Sequence, residues 1–268
     1  MIGTPTVKAN GIEVGYFERG SGRPLLLIMG LGAPGGLWER HLEGYAGRFR
    51  CIVPDNRGAG SSSKPKGDYD TATMAQDAVA VMDGLGIGEF GVCGISMGGA
   101  IAQRIAASWP DRVRGCVLTA SWAYCDEYMK GVFRMLTLTR AALGAEDFAR
   151  MFALWLYSGR TYAETPWVID DHVKGGAEDP DPMPAHAFEA QAAACVGHDM
   201  RGGLGGIKSP TLITAGDADI FTPIRCSEYL HGQIKGSRLE VFEGLAHTHH
   251  WEDIARYNGL TAEFLGGC

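Results

Sequence analysis

The sequence predicts an α/β fold: a mostly parallel twisted sheet flanked by helices, with an inserted all-helical segment. Three observations carry this expectation. Strand-like runs alternate with amphipathic helical runs in both the first and the last parts of the chain. One of these runs, Leu25-Leu26-Leu27-Ile28-Met29, is apolar throughout, as a strand covered on both faces should be. The alternation stops between residues 122 and 206, where the periodicity is helical and no strand pattern stands out. A length of 268 residues suits one large domain carrying an insertion. The expected division is a core of residues 1–121 and 207–268, with residues 122–206 forming a lid over the catalytic end of the sheet.

Strands are expected at residues 12–17, 24–29, 49–54, 90–93, 115–120, 211–215 and 239–242. Thr73-x-x-Gln76 reads as a capping box. It would open a helix with Met74, Ala78, Val81, Met82 and Leu85 on one face, stopping near Gly84 and Gly86. The helix after residue 98 carries Ile101, Ile105 and Trp109 four apart, and Pro110 ends it. Helices are expected within the insertion at residues 126–143, 145–157 and 184–196. Gly175-Gly176 and Asp179-Pro180-Asp181-Pro182 read as hinge or loop points. A last helix over about residues 251–265 places Ile254, Tyr257 and Phe264 on one face. There is no internal repeat and no low-complexity segment.

Composition narrows the function classes. Hydrophobic residues make up 46% and charged residues 21%, with a net charge of −7. No Lys/Arg cluster is present, so neither nucleic acid nor an acidic membrane surface is an expected partner. No apolar run approaches the ~20 residues of a membrane span. The stretch Met1-Ile2-Gly3-Thr4-Pro5 lacks the basic-then-apolar pattern of a secretory signal. The cysteines (51, 93, 116, 125, 195, 226 and 268) are scattered, odd in number and form no C-x-x-C, which reads as reduced thiols in a cytoplasmic protein.

The chemistry centres on Gly94-Ile95-Ser96-Met97-Gly98, a Gly-x-Ser-x-Gly run between a strand and a helix. So tight a turn needs nearly side-chain-free residues two before and two after the serine, which would project its hydroxyl from a strand end. A serine hydroxyl is a poor nucleophile at neutral pH; it needs a base, and the base needs a third group to orient it. Gly216-Asp217-Ala218-Asp219-Ile220-Phe221-Thr222-Pro223 follows one expected strand and offers two candidate acids. Gly244-Leu245-Ala246-His247 follows the next and offers the base. His247, His249, His250, Glu252 and Asp253 also invite a metal reading. They lack a distant partner motif, and neither a metal nor an organic cofactor is expected.

The order Ser96, Asp219, His247 is that of the α/β-hydrolase superfamily, which the chain resembles over essentially its full length. Asp55-Asn56-Arg57-Gly58-Ala59-Gly60-Ser61 resembles the family's D-x-R-G-x-G-x-S loop, Gly216-x-x-Asp219-x-x-x-Pro223 its acid loop, and Gly244-x-x-His247 its histidine loop. The acid-loop match favours Asp219 over Asp217. The text is similar to small bacterial enol-lactonases, carboxylesterases, meta-cleavage C–C hydrolases and cofactor-free haloperoxidases. Lys64-Pro65-Lys66-Gly67-x-Tyr69 and the residues around Ser96 look nearest to the enol-lactonases. The resemblance implies an oxyanion hole from two backbone N–H groups, Met97 after the nucleophile and Leu31 in the loop after the second sheet strand. Many relatives carry His-Gly where this chain has Met29-Gly30, which removes a side chain that often braces that loop. Ala59 stands where they commonly carry His.

The implied activity is hydrolysis of a small carboxylic ester or lactone through an acyl-enzyme. C–C bond, amide or carbamate hydrolysis and perhydrolysis use the same triad, and the fold also serves ligand receptors. Substrate selection falls to the lid. Trp122, Tyr124, Met129, Trp155 and His198 are the substrate-contact candidates, while Phe133, Met135 and Trp167 are divided between lid core and pocket. His249 and His250 read as lid-contacting or solvated, His198-Asp199 as a supporting pair or surface, Cys93 as a small apolar strand residue, and Arg57 as a loop brace. The expected partner is a small-molecule substrate, with a homodimer through exposed lid helices left open.

Overall fold

The computed structural model describes residues 4–268; Met1–Gly3, part of the stretch read for a secretory signal, lie outside the described residues. The elements run β1 (Thr6–Ala9), β2 (Ile12–Arg19), β3 (Arg23–Ile28), α1 (Glu39–Tyr45), β4 (Phe49–Pro54), α2 (Thr71–Gly84), β5 (Phe90–Ile95), α3 (Met97–Ser108) and β6 (Val113–Thr119). Five helices follow: α4 (Glu127–Ala142), α5 (Ala145–Leu156), α6 (Gly159–Glu164), α7 (Trp167–Ala177) and α8 (Ala185–Gly197). The chain then returns through β7 (Thr211–Gly216), α9 (Ile224–Gln233), β8 (Arg238–Phe242), α10 (His249–Glu252) and α11 (Ile254–Gly266).

The strands form one eight-stranded sheet in the order β1-β2-β4-β3-β5-β6-β7-β8. From β4 to β8 every pairing is parallel, while β1 and β2 are antiparallel additions at one edge. Strand alternation builds two cores. Leu26 and Ile28 face α2 and α3, whereas Leu25 and Leu27 face Leu42 and Tyr45 of α1 and Ala262 and Leu265 of α11. The chain winds one way from β3 to β4 and the other way from β5 onward. The strand order therefore reverses between β3 and β5, and the crevice at their carboxyl ends is where doubly wound sheets bind ligands.

Several expectations change in detail. The hairpin strand β1 was not anticipated; Asn10 and Gly11, both at positive φ (45° and 76°), make its turn, and Asn-Gly is the sequence signal for one. The capping box at Thr73 is replaced by an Asp70 cap, whose carboxylate accepts from Ala72 N and Thr73 N, so α2 starts at Thr71. Gly175-Gly176 are not a hinge but lie in the last turn of α7. The last helix is two pieces broken at Asp253, whose side chain caps the second. The short helices α1, α6, α7 and α9 went unread.

Among the described residues no helix is long and apolar enough to cross a membrane. All seven cysteines are free thiols. Within residues 122–206, α5 packs on α7 and α4 on α8, and an isolated antiparallel bridge pairs Tyr124 with Asp199. Met135 and Trp167, read as lid core or pocket, are instead 51% and 59% exposed on the outer surface.

Candidate active site

The turn after β5 is built around close backbone contact. Ser96 sits at φ 56°, ψ −118°, a conformation that costs about 1–3 kcal/mol for a residue with a side chain. A Cβ at Gly94 would collide with the Gly98 carbonyl, and one at Gly98 with the Ile28 carbonyl. Only glycine at both places lets α3 start directly beside β3 and β5. Ser96 N donates to Thr119 O at 2.8 Å, and Ser121 Oγ donates to Ser96 O at 3.0 Å, which pins the strained residue from β6.

The loops after β7 and β8 bring Asp219 and His247 together at the same end of the sheet. His247 Nδ1 lies 2.8 Å from Asp219 Oδ2, with both side chains buried. A carboxylate oxygen only accepts, so Nδ1 carries a proton and donates it to Asp219. Asp219 Oδ1 accepts from Phe221 N (2.7 Å) and Thr222 N (2.9 Å), and its Oδ2 also accepts from Thr222 Oγ1 (2.6 Å). The alternative acid, Asp217, is turned away: its carboxylate accepts from Gly244 N at 2.6 Å and closes the turn after β8. The Phe221 ring lies 4.7 Å from the His247 ring, centroid to centroid, and continues into Phe133 and Phe152 of the helical segment. No hydrogen bond engages Ser96 Oγ among the described residues. In substrate-free sites such bonds are often long and tighten only on binding.

The loop after β3 passes directly over the serine. A Cβ built at Gly30 would lie 3.2 Å from Ser96 Cβ and 3.7 Å from its Oγ. Among the described residues, neither Leu31 N nor Met97 N has a hydrogen-bond acceptor, although both residues are buried. Buried N–H groups without partners are rare, and Met97 N also points from the positive end of α3. The neighbouring motif is structural. Asp55 accepts from Gly35 N, Ser61 N and Ser61 Oγ; Asn56 Nδ2 donates to Met29 O at 2.8 Å. Arg57 makes a buried two-point pair with Asp77 at 2.6 and 2.8 Å, in line with its reading as a brace.

The histidine loop is tied to the helical segment. Glu252 accepts from Ala246 N at 2.9 Å with one oxygen; with the other it accepts from Ser158 N, Ser158 Oγ and Thr161 Oγ1 at the start of α6. Thr248 N and Oγ1 both donate to Leu156 O, at 3.0 and 2.9 Å. His249 and His250 do not meet the helical segment or solvent as expected, because the start of α10 turns them beneath the sheet end. His249 Nε2 reaches Thr214 Oγ1 at 3.0 Å, and His250 Nδ1 reaches His41 Nε2 at 3.1 Å. The side chains of the metal reading thus diverge, and among the described residues no three of His, Cys, Asp or Glu are grouped to hold a metal. Cys93 is fully buried in β5, and burial pushes its thiol up to about 12, as fits an apolar strand residue.

The substrate-contact candidates divide. Trp122 and Met129 are fully buried, Trp122 against Phe133 and Met129 beside Cys226. Trp155 is half-buried on α5 against the main core. Tyr124 stacks edge-on with Tyr229 and lies under Arg201. His198 has both ring nitrogens engaged, by Thr71 Oγ1 at 2.9 Å and Gln103 Oε1 at 3.4 Å, and does not pair with Asp199, which holds Arg201. Gln103 Nε2 donates to Ser121 Oγ and Trp122 O, so this network ends on the carbonyl of Ser96. The sequence reading missed Thr222, Gln191 and Ser121, and took Glu252 only as part of a metal reading. Thr222, three residues after Asp219, has the spacing of a local side-chain-to-backbone turn. Gln191 is the polar centre of Ala190-Gln191-Ala192, a position that demands partners if buried.

Four buried imidazoles set an expectation for acid stability. Burial lowers His41 and His249 to about 4, His198 to about 3, and His250 well below its usual 6.5. The unfolded chain takes up these protons near 6.5, whereas the native state takes them up only near 4 at His41 and His249, lower still at His198, and well below 6.5 at His250. Stability is therefore full above pH 6.5 and falls as pH drops toward 4. Urea midpoints at pH 7, 6 and 5 should decline steadily; a flat series contradicts the buried neutral imidazoles.

Comparison with known proteins gives a consistent picture. A family model described as the alpha/beta hydrolase fold matches residues 23–254. A proposed carbamate hydrolase, RutD of Azorhizobium caulinodans, is 30% identical over 257 residues, covering 94% of each chain. A thermophilic esterase from Thermogutta terrifontis superposes with a TM-score of 0.87 at 25% identity, covering 99% of this chain and 98% of the other. An enol-lactonase from Burkholderia xenovorans reaches a TM-score of 0.88 at 23% identity, covering 98% of this chain and all of the other, a likeness of fold.

Proposed function

The chain belongs to the alpha/beta hydrolase fold family, and from that membership we propose that this hydrolase cleaves a small carboxylic ester or lactone with Ser96 as nucleophile. The observation that carries the proposal is the pair of N–H groups beside the strained serine, Leu31 and Met97, that have no acceptor among the described residues. Donors left free in a buried place fit a site waiting for charge to develop. His247 Nε2 takes the proton of Ser96 Oγ as Oγ attacks the carbonyl carbon. The tetrahedral oxyanion rests on Leu31 N–H and Met97 N–H. Asp219 keeps Nδ1 protonated and stabilises the imidazolium. His247 then protonates the leaving oxygen, and the acyl group stays on Ser96. Water, deprotonated by His247, cleaves that ester and restores the free hydroxyl.

In this reading residues 122–206 are the lid, and the Phe133, Phe152 and Phe221 rings beside His247 favour a largely apolar substrate. A carbamate is the second reading, favoured by the likeness to the proposed carbamate hydrolase over 94% of the chain. A turnover screen separates the two, using p-nitrophenyl acetate and butyrate, a γ-lactone, an N-alkyl carbamate ester and a coloured dienoic ring-cleavage product. The proposal expects turnover of the esters or the lactone. Turnover of the carbamate alone would select the second reading, bleaching of the dienoate alone a C–C hydrolase, and no turnover with tight ligand binding a receptor.

A further inference from the structure

Gln191 lies midway along α8, fully buried, with both ends of its amide engaged. Its Oε1 accepts from Gly32 N at 2.9 Å, and its Nε2 donates to Arg57 O at 2.8 Å. Arg57 is itself immobilised by its buried two-point pair with Asp77. The side chain therefore spans from a fixed anchor to the residue that follows Leu31. The turn it reaches holds itself weakly: Gly32 is left-handed at φ 74°, and the closing bond from Ala33 N to Gly30 O is 3.4 Å long. Met29 offers no side-chain hydrogen bond to stiffen it. Phe188, one turn earlier on α8, seats on the same glycine; a Cβ there would lie 3.1 Å from its ring edge.

We propose that Gln191 is a positioning residue for the oxyanion loop: anchored on Arg57, it holds the Leu31–Gly32 peptide so that Leu31 N–H faces the developing oxyanion. The proposal rests on the serine-hydrolase reading and extends it, because it makes the helical segment part of the catalytic apparatus as well as a cover. Charge reaches the oxyanion position only in the transition state, so loss of the brace lowers kcat and leaves ground-state binding nearly unchanged.

Gln191→Met conserves volume and removes both hydrogen bonds. With p-nitrophenyl acetate its kcat is expected to fall about 10- to 100-fold, with KM within about twofold of the wild type. An aryl boronic acid, which forms a tetrahedral anion on Ser96 Oγ, should lose affinity by the same factor as kcat/KM. Cys195→Ala, on the same buried face of α8, should lower Tm and leave kcat and boronate affinity in place. Should the methionine variant fail to fold, Gln191→Glu keeps the acceptor for Gly32 N but sets a carboxylate against Arg57 O, and a smaller loss of the same kind is expected. Wild-type kcat and boronate affinity in a folded Gln191 variant, or a loss confined to Tm or KM, overturns the inference while leaving the serine-hydrolase reading intact. A wild-type protein that neither hydrolyses the ester nor binds the boronate overturns both.

Discussion

Ser96→Ala is expected to lower kcat for p-nitrophenyl ester hydrolysis by about 10⁶-fold while leaving the melting temperature within a few degrees of the wild type. The two halves of this expectation have separate causes. In the proposed mechanism the hydroxyl is the group that forms the acyl-enzyme, and without it the remaining binding groups can only assist water. The fold barely senses the change, because Ser96 is held by its backbone: its N–H donates to Thr119 O and its carbonyl accepts from Ser121 Oγ, and alanine keeps both. Alanine also keeps a Cβ at φ 56°, so the strain of the turn is retained. Initial rates and a thermal melt on the same preparation check both halves.

Asp219→Asn should cost about 10⁴-fold in kcat, with little change in KM. The geometry dictates how. Asp219 Oδ1 accepts from Phe221 N and Thr222 N, two fixed donors, so an asparagine must place its oxygen there. Its NH₂ then takes the place of Oδ2 and donates to His247 Nδ1. That forces the proton onto Nε2, the nitrogen that has to accept one from Ser96. The substitution therefore preserves the shape and inverts the tautomer. Asp217→Asn should leave kcat near the wild-type value, since its carboxylate serves only the turn at Gly244.

The parts of this site that a sequence exposes are those with short-range causes. The elbow is legible because two glycines two residues either side of a serine satisfy a local steric demand, here between Gly94, Gly98 and the Ile28 carbonyl. The parallel strands are legible because burial on both faces leaves a continuous apolar run such as residues 25–29. Asp219 and His247 follow from the loops after β7 and β8, each marked by its own short motif. What stayed hidden depends on contacts across the fold. Gln191 meets Gly32 over 159 residues of separation, and Glu252 meets Ser158 over 94. No local pattern encodes such a meeting. His249 and His250 were misplaced for the same reason: their polarity suggested solvent, but Thr214 and His41 supply partners beneath the sheet end. Met135 and Trp167 were misplaced because a helix with apolar residues on several sides does not announce which side faces outward.

In the proposed function Ser96 is an activated nucleophile. Its most direct test is labelling with a biotinylated fluorophosphonate at neutral pH, followed by digestion and mass spectrometry. A single phosphonyl adduct on the peptide containing Ser96 is expected, absent from Ser96→Ala and strongly slowed in His247→Ala. An unlabelled wild-type protein, or an adduct that persists when Ser96 is replaced, would show that Ser96 is not the nucleophile.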